Sequence, residues 1–338
     1  MSKLVTIGIP VYKRLEYLPN VLKIVSTQDY PNIELIVSDN GMNGAAVSEI
    51  VNRCYTRPSR FRQNPSTVGM SVHFNQIIQE ASGEYFVLLA DDDEISSNYV
   101  SDLVNLLERN PQASVAMAVQ ETVDEAGTLV RRSSERVPEI LSGPDFIRAV
   151  WETREFGYES LSTFLARTAN LAASGGFPDF WKGSGNDDAL IVKLCLDNFI
   201  ALSSRCVFRK RCYDTSYGYS QSTQDLARGI KDVLKFVDTD PILRQFACDH
   251  PSEWRATKYL LVKMAWKTYY LRWADMYRQR LSSLQWVKAG FALPFIPDYY
   301  RAVTQTLAAA SIAKVWGGFK KHLPRAYQVY RAAKTRRQ

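Results

Sequence analysis

The first ~115 residues alternate between two kinds of segment, and that alternation narrows the possible folds more than any other feature of the chain. Short apolar runs at 4–9, 33–38 and 85–90 read as buried strands, and a poorer strand opens at Phe61. Between them lie segments with helical apolar spacing. In 16–28 the inward residues are Leu18, Val21, Leu22, Ile24 and Val25; 45–54 and 71–81 follow the same pattern, and a fourth helix is predicted over 97–110. Strands and helices at these spacings suit βαβ crossovers, so this region reads as an α/β doubly wound, mostly parallel sheet.

Three of the strands end in polar residues: Pro10-Val11-Tyr12-Lys13-Arg14, Asp39-Asn40-Gly41, and Asp91-Asp92-Asp93-Glu94. In a parallel sheet these ends share one edge, where open α/β sheets place their ligands, so the three groups are expected to line one crevice. Adjacent carboxylates after a buried strand repel one another and add little to stability. They suit a hard divalent cation, Mn²⁺ or Mg²⁺, held together with substrate phosphates. The plain structural alternative is an Asp-rich turn leading into helix 97–110, capped by Ser96 or Ser97. No GxGxxG follows the first strand and no GxxxxGK[ST] occurs anywhere, which disfavours a dinucleotide site and a P-loop. A phosphate ligand in this crevice would have to be held through metal.

Composition excludes several classes. With 338 residues, 46% of them hydrophobic and 23% charged, the chain has material for a sizeable core and is not a disordered chain. Five scattered cysteines (Cys54, Cys195, Cys206, Cys212, Cys248) form no CxxC pair, and His73, His250 and His322 form no zinc motif. A reducing cytosol is therefore the expected compartment. A strand pattern begins almost at once, so no signal peptide is expected, and no uncharged apolar run approaches the ~20 residues of a spanning helix. The net charge of +7 hides an asymmetry. Residues 255–338 carry 17 Lys/Arg against two acids (net +15), whereas the rest carries 25 against 33 (net −8). An anionic partner is expected for that basic end.

The order of motifs carries a resemblance. It runs Ile7-Gly8-Ile9-Pro10-Val11-Tyr12-Lys13-Arg14, then 28–41 (Gln-Asp-Tyr-Pro-Asn-Ile-Glu-Leu-Ile-Val-Ser-Asp-Asn-Gly), Asn64 to Gly69, Asn75, and Gly83-Glu84-Tyr85 leading to Asp91-Asp92-Asp93. This resembles the family-two inverting glycosyltransferases of GT-A fold, of the bacterial surface-polysaccharide type, over roughly the first 115 residues. The family often has Asn at Lys13 and Asp-Asp at Asp39-Asn40. The resemblance implies a nucleoside pocket lined by Pro10, Val11, Tyr12, Arg14 and Asp39, completed by Asn64 and Gly69, with Tyr12 stacked on the base and Asp39 touching it. It implies that Asp91 and Asp93 are the DxD pair, Asp91 near ribose and metal and Asp93 on the metal; Asp92 is a candidate for the same duty.

The resemblance also divides the chain: 1–115 as the nucleotide-sugar half of a GT-A domain, 116–220 as its acceptor half, and 221–338 as a helical, basic C-terminal region. In the acceptor half, 115–119 reads as a strand, 121–129 as a hairpin turning at Ala126-Gly127, and 145–151 and 158–167 as helices. Gly175-Gly176-Phe177 leads through Trp181 to Asn186-Asp187-Asp188 at the start of a helix. In the family such a segment supplies the general base, which implies Asp187 here, with Asp188 next in line. The alternative is that both acids merely favour the helix dipole. Trp181 and three nearby glycines suit a mobile acceptor-side loop. Asn75 is either part of the motif or a helix residue satisfying local backbone. The basic run 205–211 either meets the diphosphate or forms a solvated face, and 213–219 is a candidate flap.

The reaction expected from the resemblance is inverting transfer of a sugar from a nucleoside-diphosphate sugar, UDP-sugar favoured, to a hydroxyl of a glycan or lipid-linked glycan. Apolar residues recur at helical spacing over 259–284, and bulky aromatics beside many cations follow to the end. That composition suits an anionic membrane surface, hence a peripheral position on the cytoplasmic leaflet. Two other readings are a nucleotidyltransferase, which would want a Gly- and basic-rich first loop, and a basic-tailed nucleic-acid binder. The second lacks any recognition motif, so no nucleic acid is expected as partner.

Overall fold

The computed structural model describes residues 2–134, 138–153, 161–212, 221 and 223–277, with side chains of the last helix described to Ala265. The opening elements alternate: β1 (Val5–Val11), α1 (Leu18–Ser26), β2 (Ile33–Asp39), α2 (Ala46–Cys54), β3 (Ser59–Gln63), α3 (Met70–Glu80) and β4 (Tyr85–Leu88). β1 pairs in parallel with β2 and with β4, and β2 pairs in parallel with β3, giving the order β3-β2-β1-β4. The solvent-facing β3 is the edge strand, which explains its weak apolar signal.

Alternation along each strand builds two cores. Val5, Ile7 and Ile9 of β1, Leu35 and Val37 of β2, and Tyr85 and Val87 of β4 pack with α1 and α2 on one face. Ile36, Phe86 and Leu88 point to the other face, toward Ile77 and Ile78 of α3. A Cβ at Gly8 would lie 2.5 Å from Ile77 Cγ2, so glycine is what lets α3 lie close on β1.

Next come β5 (Glu94–Ile95), α4 (Tyr99–Arg109), β6 (Ala113–Val123), β7 (Leu129–Arg132), β8 (Ile140–Ser142) and α5 (Gly143–Arg148). β6 and β7 form the hairpin, with Gly127 at φ 85° donating its N–H to Asp124 O at 3.0 Å. β9 (Phe164–Arg167), α6 (Thr168–Ser174), α7 (Asn186–Cys195) and β10 (Phe199–Arg211) follow, and β10 lies parallel to β6. Two expectations need correction. Within 158–167, read above as a helix, residues 161–163 form a 3₁₀ turn and 164–167 form β9; 158–160 lie outside the described residues. The buried Phe164, Leu165 and Ala166 are drawn into the sheet because β9 fills the gap between β4 and β6, antiparallel to both. The cap of α4 is Asn98 rather than Ser96 or Ser97; Ser96 Oγ donates to Asn98 Oδ1 (2.7 Å) and accepts from Val207 N (3.0 Å).

The described chain ends in α8 (Thr223–Thr239), α9 (Pro241–Asp249) and α10 (Pro251–Tyr277). Asp240 starts α9 by accepting from Ile242 N and Leu243 N, with Pro241 at the first helical position, where its missing N–H is not needed. Among the described residues no helix is long and apolar enough to cross a membrane. The flap candidate 213–219 and the aromatic, basic stretch beyond 277 lie outside the described residues.

Candidate active site

The carboxyl ends of β1, β2 and β4 meet, because parallel register sets Val11 opposite Asp39 and Gly8 opposite Leu88. After β4 the chain continues as Leu89, whose N–H bonds Gly8 O at 2.9 Å, and then turns through the three aspartates. Tyr12, 46% exposed, stands at the rim of this edge just beyond β1, with Lys13 Nζ 5.3 Å from its ring centroid. Arg14 Nη2 donates to Asp92 Oδ2 at 3.2 Å. Pro10 and Val11 are the last residues of β1, partly and fully buried.

Asp39 is fully buried and accepts four hydrogen bonds. Oδ1 takes Gly41 N (2.7 Å) and Asn43 Nδ2 (2.8 Å); Oδ2 takes Asn43 N (3.0 Å) and Gln63 Nε2 (2.9 Å). Those four fill a carboxylate's usual acceptor sites, so Asp39 folds the loop after β2 over the end of β1. Asn43 Nδ2 closes the ring by donating to Tyr12 O at 2.5 Å. A Cβ at Gly41 would sit 1.5 Å from Tyr12 O, so only glycine fits there. Asn64 is likewise buried, donating to Asn40 Oδ1 (2.9 Å) and accepting from Arg62 Nη2 (2.9 Å). Asn40 in turn brackets Val68 through both its amide atoms, which fixes the loop leading to Gly69 at the start of α3.

The aspartates are electrostatically poised. Burial, then the charge of Asp92, pushes Asp91 up to about 7, against Arg14 and the Tyr12 N–H. The same two causes raise Asp93 to about 8, opposed by Lys210, by Arg211 N on Oδ1 (3.2 Å) and by Ser162 Oγ on Oδ2 (3.2 Å). Burial raises Asp92 as well, with Arg14 pulling it down. A cation would relieve all three. Among the described residues no three His, Cys, Asp or Glu side chains converge on one ion position. Carboxylate oxygens are the donors that Mg²⁺ or Mn²⁺ takes, one or two of them with water and substrate phosphate completing the shell.

The basic end of β10 is committed within the protein. Arg209 pairs with Glu121 and Glu94, and Arg211 donates to Glu94 Oε1 at 2.6 Å while lying 5.3 Å from the Tyr17 ring. Arg209, with 42% of its side chain exposed, and Arg211, with 11%, thus brace the strand beside Asp93.

The second group of candidates is tied to α3. Asn75 donates Nδ2 to Phe177 O and accepts Phe177 N on Oδ1, both at 2.8 Å, so it clamps the Gly-Gly-Phe segment. Gly176, at φ 70°, lies against that amide, and a Cβ there would meet Asn75 Oδ1 at 2.3 Å. Asn186, buried at the first turn of α7, donates to Ser71 Oγ at 3.0 Å, which places the start of α7 beside the start of α3. Asp187 and Asp188 follow, half-buried, with Asp188 N donating to Asp187 Oδ1 at 3.0 Å.

Trp181 sits on a loop tied to α8 by hydrogen bonds. Its N–H donates to Asp232 Oδ2 and its Nε1–H to Asp225 Oδ1, each at 2.8 Å, and Arg228 covers its ring at 4.6 Å. Gly183 and Gly185 on this loop hold left-handed turns, with φ 68° and 78°. Sequence reading missed Asn43, Gln63, Ser162, Asp225 and Asp232. Each acts across the fold or across a loop, and no local pattern marks it.

Residues 6–172 match the family described as Glycosyl transferase family 2, and over that segment the chain belongs to it. The match ends before Asp187. An uncharacterized glycosyltransferase of Rickettsia felis is 29% identical over 130 residues, 38% of this chain and 21% of that protein. The GalNAc(5)-diNAcBac-PP-undecaprenol beta-1,3-glucosyltransferase of Campylobacter jejuni is 31% identical over 106 residues, 31% of this chain and 34% of that protein. The matched segments thus span about a fifth to a third of these two relatives. Among solved structures, S. aureus TarS 1–349 in complex with UDP-GlcNAc aligns with TM-score 0.55 and 18% identity over 73% of this chain and 72% of that one. The mannosyltransferase PcManGT of Pyrobaculum calidifontis, in complex with GDP-Man and Mn²⁺, gives 0.52 and 16% over 94% and 88%. The fold is GT-A.

Proposed function

We propose that the protein transfers a sugar, with inversion, from a nucleoside-diphosphate sugar to a hydroxyl of a glycan or lipid-linked glycan. The observation that carries this reading is the meeting of Tyr12, Asp39 and Asp91–93 at one sheet edge within a family 2 segment. Sugar nucleotides in complex with fold neighbours, UDP-GlcNAc with TarS and GDP-Man with PcManGT, support a donor of that class, and UDP is the favoured nucleotide. The undecaprenol-linked substrate in the Campylobacter relative's name supports the acceptor class.

In this reading Tyr12 stacks on the base from the rim, Asp39 contacts it by exchanging the Gln63 amide for a base N–H, and Pro10, Val11, Arg14, Asn64 and Gly69 shape the pocket. Asp91 and Asp93 would hold Mn²⁺ or Mg²⁺, with Asp92 kept to Arg14. When bound, such a cation offsets the charge that builds on the departing diphosphate. Asp187 accepts the acceptor hydroxyl's proton as that oxygen attacks the anomeric carbon opposite the leaving group, and Asp188 stands next to it.

Asp187→Asn is expected to lower transfer by about 10³-fold, the scale of a lost general base, while leaving nucleotide binding intact. Asp93→Asn is expected to weaken metal-dependent binding itself. Near-normal turnover in Asp187→Asn with loss in Asp188→Asn would move the base by one residue; normal turnover in both would remove the general-base assignment. The net +15 of residues 255–338 supports a peripheral site on the cytoplasmic face of an anionic membrane. Full-length protein is expected to sediment with phosphatidylglycerol vesicles and to be released by salt; no sedimentation at low salt would contradict it.

A further inference from the structure

Trp181 has chemistry that the crevice does not use. It is 40% exposed, yet both of its N–H groups are already bonded to α8, the backbone one to Asp232 and the indole one to Asp225. With its donors occupied, what the side chain offers solvent is ring surface. One face is covered by the Arg228 guanidinium at 4.6 Å, so the exposure belongs to the rest of the ring. A held, half-covered indole is the kind of surface on which the C–H face of a sugar ring packs, being large, rigid and low in entropy cost.

The mounting is built in detail. Lys182, at φ 50°, donates Nζ to the second oxygen of Asp225 at 2.9 Å. Ser184 Oγ donates to Gln221 Oε1 at 2.6 Å, and Gln221 Nε2 donates to Lys182 O at 3.3 Å. Gly229 of α8 lets Ser184 approach, since a Cβ there would fall 2.4 Å from Ser184 Cβ. The loop then runs through Gly183, which packs on Met70 at the start of α3, to Asn186 and its bond to Ser71. Trp181 is thereby fixed between α8 and the turn that carries Asp187.

We propose that Trp181 is a platform for a sugar ring of the acceptor and that Asp225 of α8 is its positioning residue, so that the C-terminal helices set acceptor recognition. This rests on the glycosyl-transfer reading and adds to it the chemistry of the acceptor subsite. Asp225 acts through Trp181: one carboxylate fixes the indole edge and, through Lys182, the strained turn beside it.

The test uses the full chain and p-nitrophenyl glycosides of glucose, galactose and N-acetylglucosamine, titrated by saturation-transfer NMR in the presence of UDP and Mn²⁺. The wild type is expected to hold at least one glycoside and Trp181→Ala to lose it. Asp225→Ala should weaken it by about tenfold, the scale of one lost charged hydrogen bond, and Asp225→Asn, which keeps an oxygen for the indole N–H, should restore most of that. UDP affinity should be unchanged in all three variants, and Trp181→Phe should retain glycoside binding if Trp181→Ala proves poorly folded. Glycoside binding equal to wild type in Trp181→Ala would overturn the proposal. So would a wild type that binds UDP but none of the three glycosides. Failure to bind UDP at all would instead remove the donor reading on which the proposal stands.

Discussion

Buried titratable groups near the crevice pull the protein's pH response in opposite directions. His73, on α3, is buried beside Ser38, and its imidazole lies 2.8 Å from Ser38 Oγ. Burial first, then Arg62, lowers it from 6.5 to about 4, with Asp39 acting weakly the other way. The folded state therefore holds His73 neutral, and its contribution is intact above pH 6.5 and is lost as pH falls toward 4. A shift of that size corresponds to about 3 kcal/mol. The unfolding free energy of the wild type, from denaturant titration, should fall by that much more over this window than that of His73→Gln; parallel profiles would contradict it. Asp91 and Asp93 have the reverse sign. Their folded values lie above the unfolded ones, so the native state without cation loses stability as pH rises from about 4 to about 8. Divalent cation, by favouring the charged forms, should flatten that limb.

Between elements, the junction of α3 with the Gly-Gly-Phe segment is the tightest coupling at the site. Asn75 satisfies both backbone groups of Phe177, and Gly176 occupies a left-handed turn against the same amide. Gly176→Ala should cost about 1–3 kcal/mol from strain and contact together. In a double-mutant cycle with Asn75→Ala the two losses should fail to add by more than about 0.5 kcal/mol. Additive losses would mean that the clamp is not what holds the segment. The strands of the crevice were legible because each is an apolar run that gives way to polar or turn residues: Tyr12-Lys13-Arg14 directly after Pro10-Val11, Asp39-Asn40-Gly41, and Asp91-Asp92-Asp93. β9 was not legible. Phe164-Leu165-Ala166-Arg167 is too short to show a period and suits a helix equally well; only the gap between β4 and β6 decides it. The same holds for Gln63 on Asp39 and Asp225 on Trp181, whose pairing is created by the fold and leaves no trace in local spacing.

For the molecule as a whole, the family segment covers the crevice, whereas the acid pair at 187–188 and the mounting of Trp181 by α8 lie beyond residue 172. The central claim is that the crevice binds a nucleoside diphosphate through a divalent cation. Calorimetric titration of the full chain with UDP, GDP, CDP and dTDP, each with and without Mn²⁺, tests it most directly. The account predicts that UDP binds, that binding requires Mn²⁺, and that Asp93→Asn weakens this Mn²⁺-dependent binding. Binding of another of the four nucleotides in UDP's place would keep the crevice and change the donor. Absence of binding by all four with Mn²⁺ present would contradict the claim and leave the acidic strand end a structural turn.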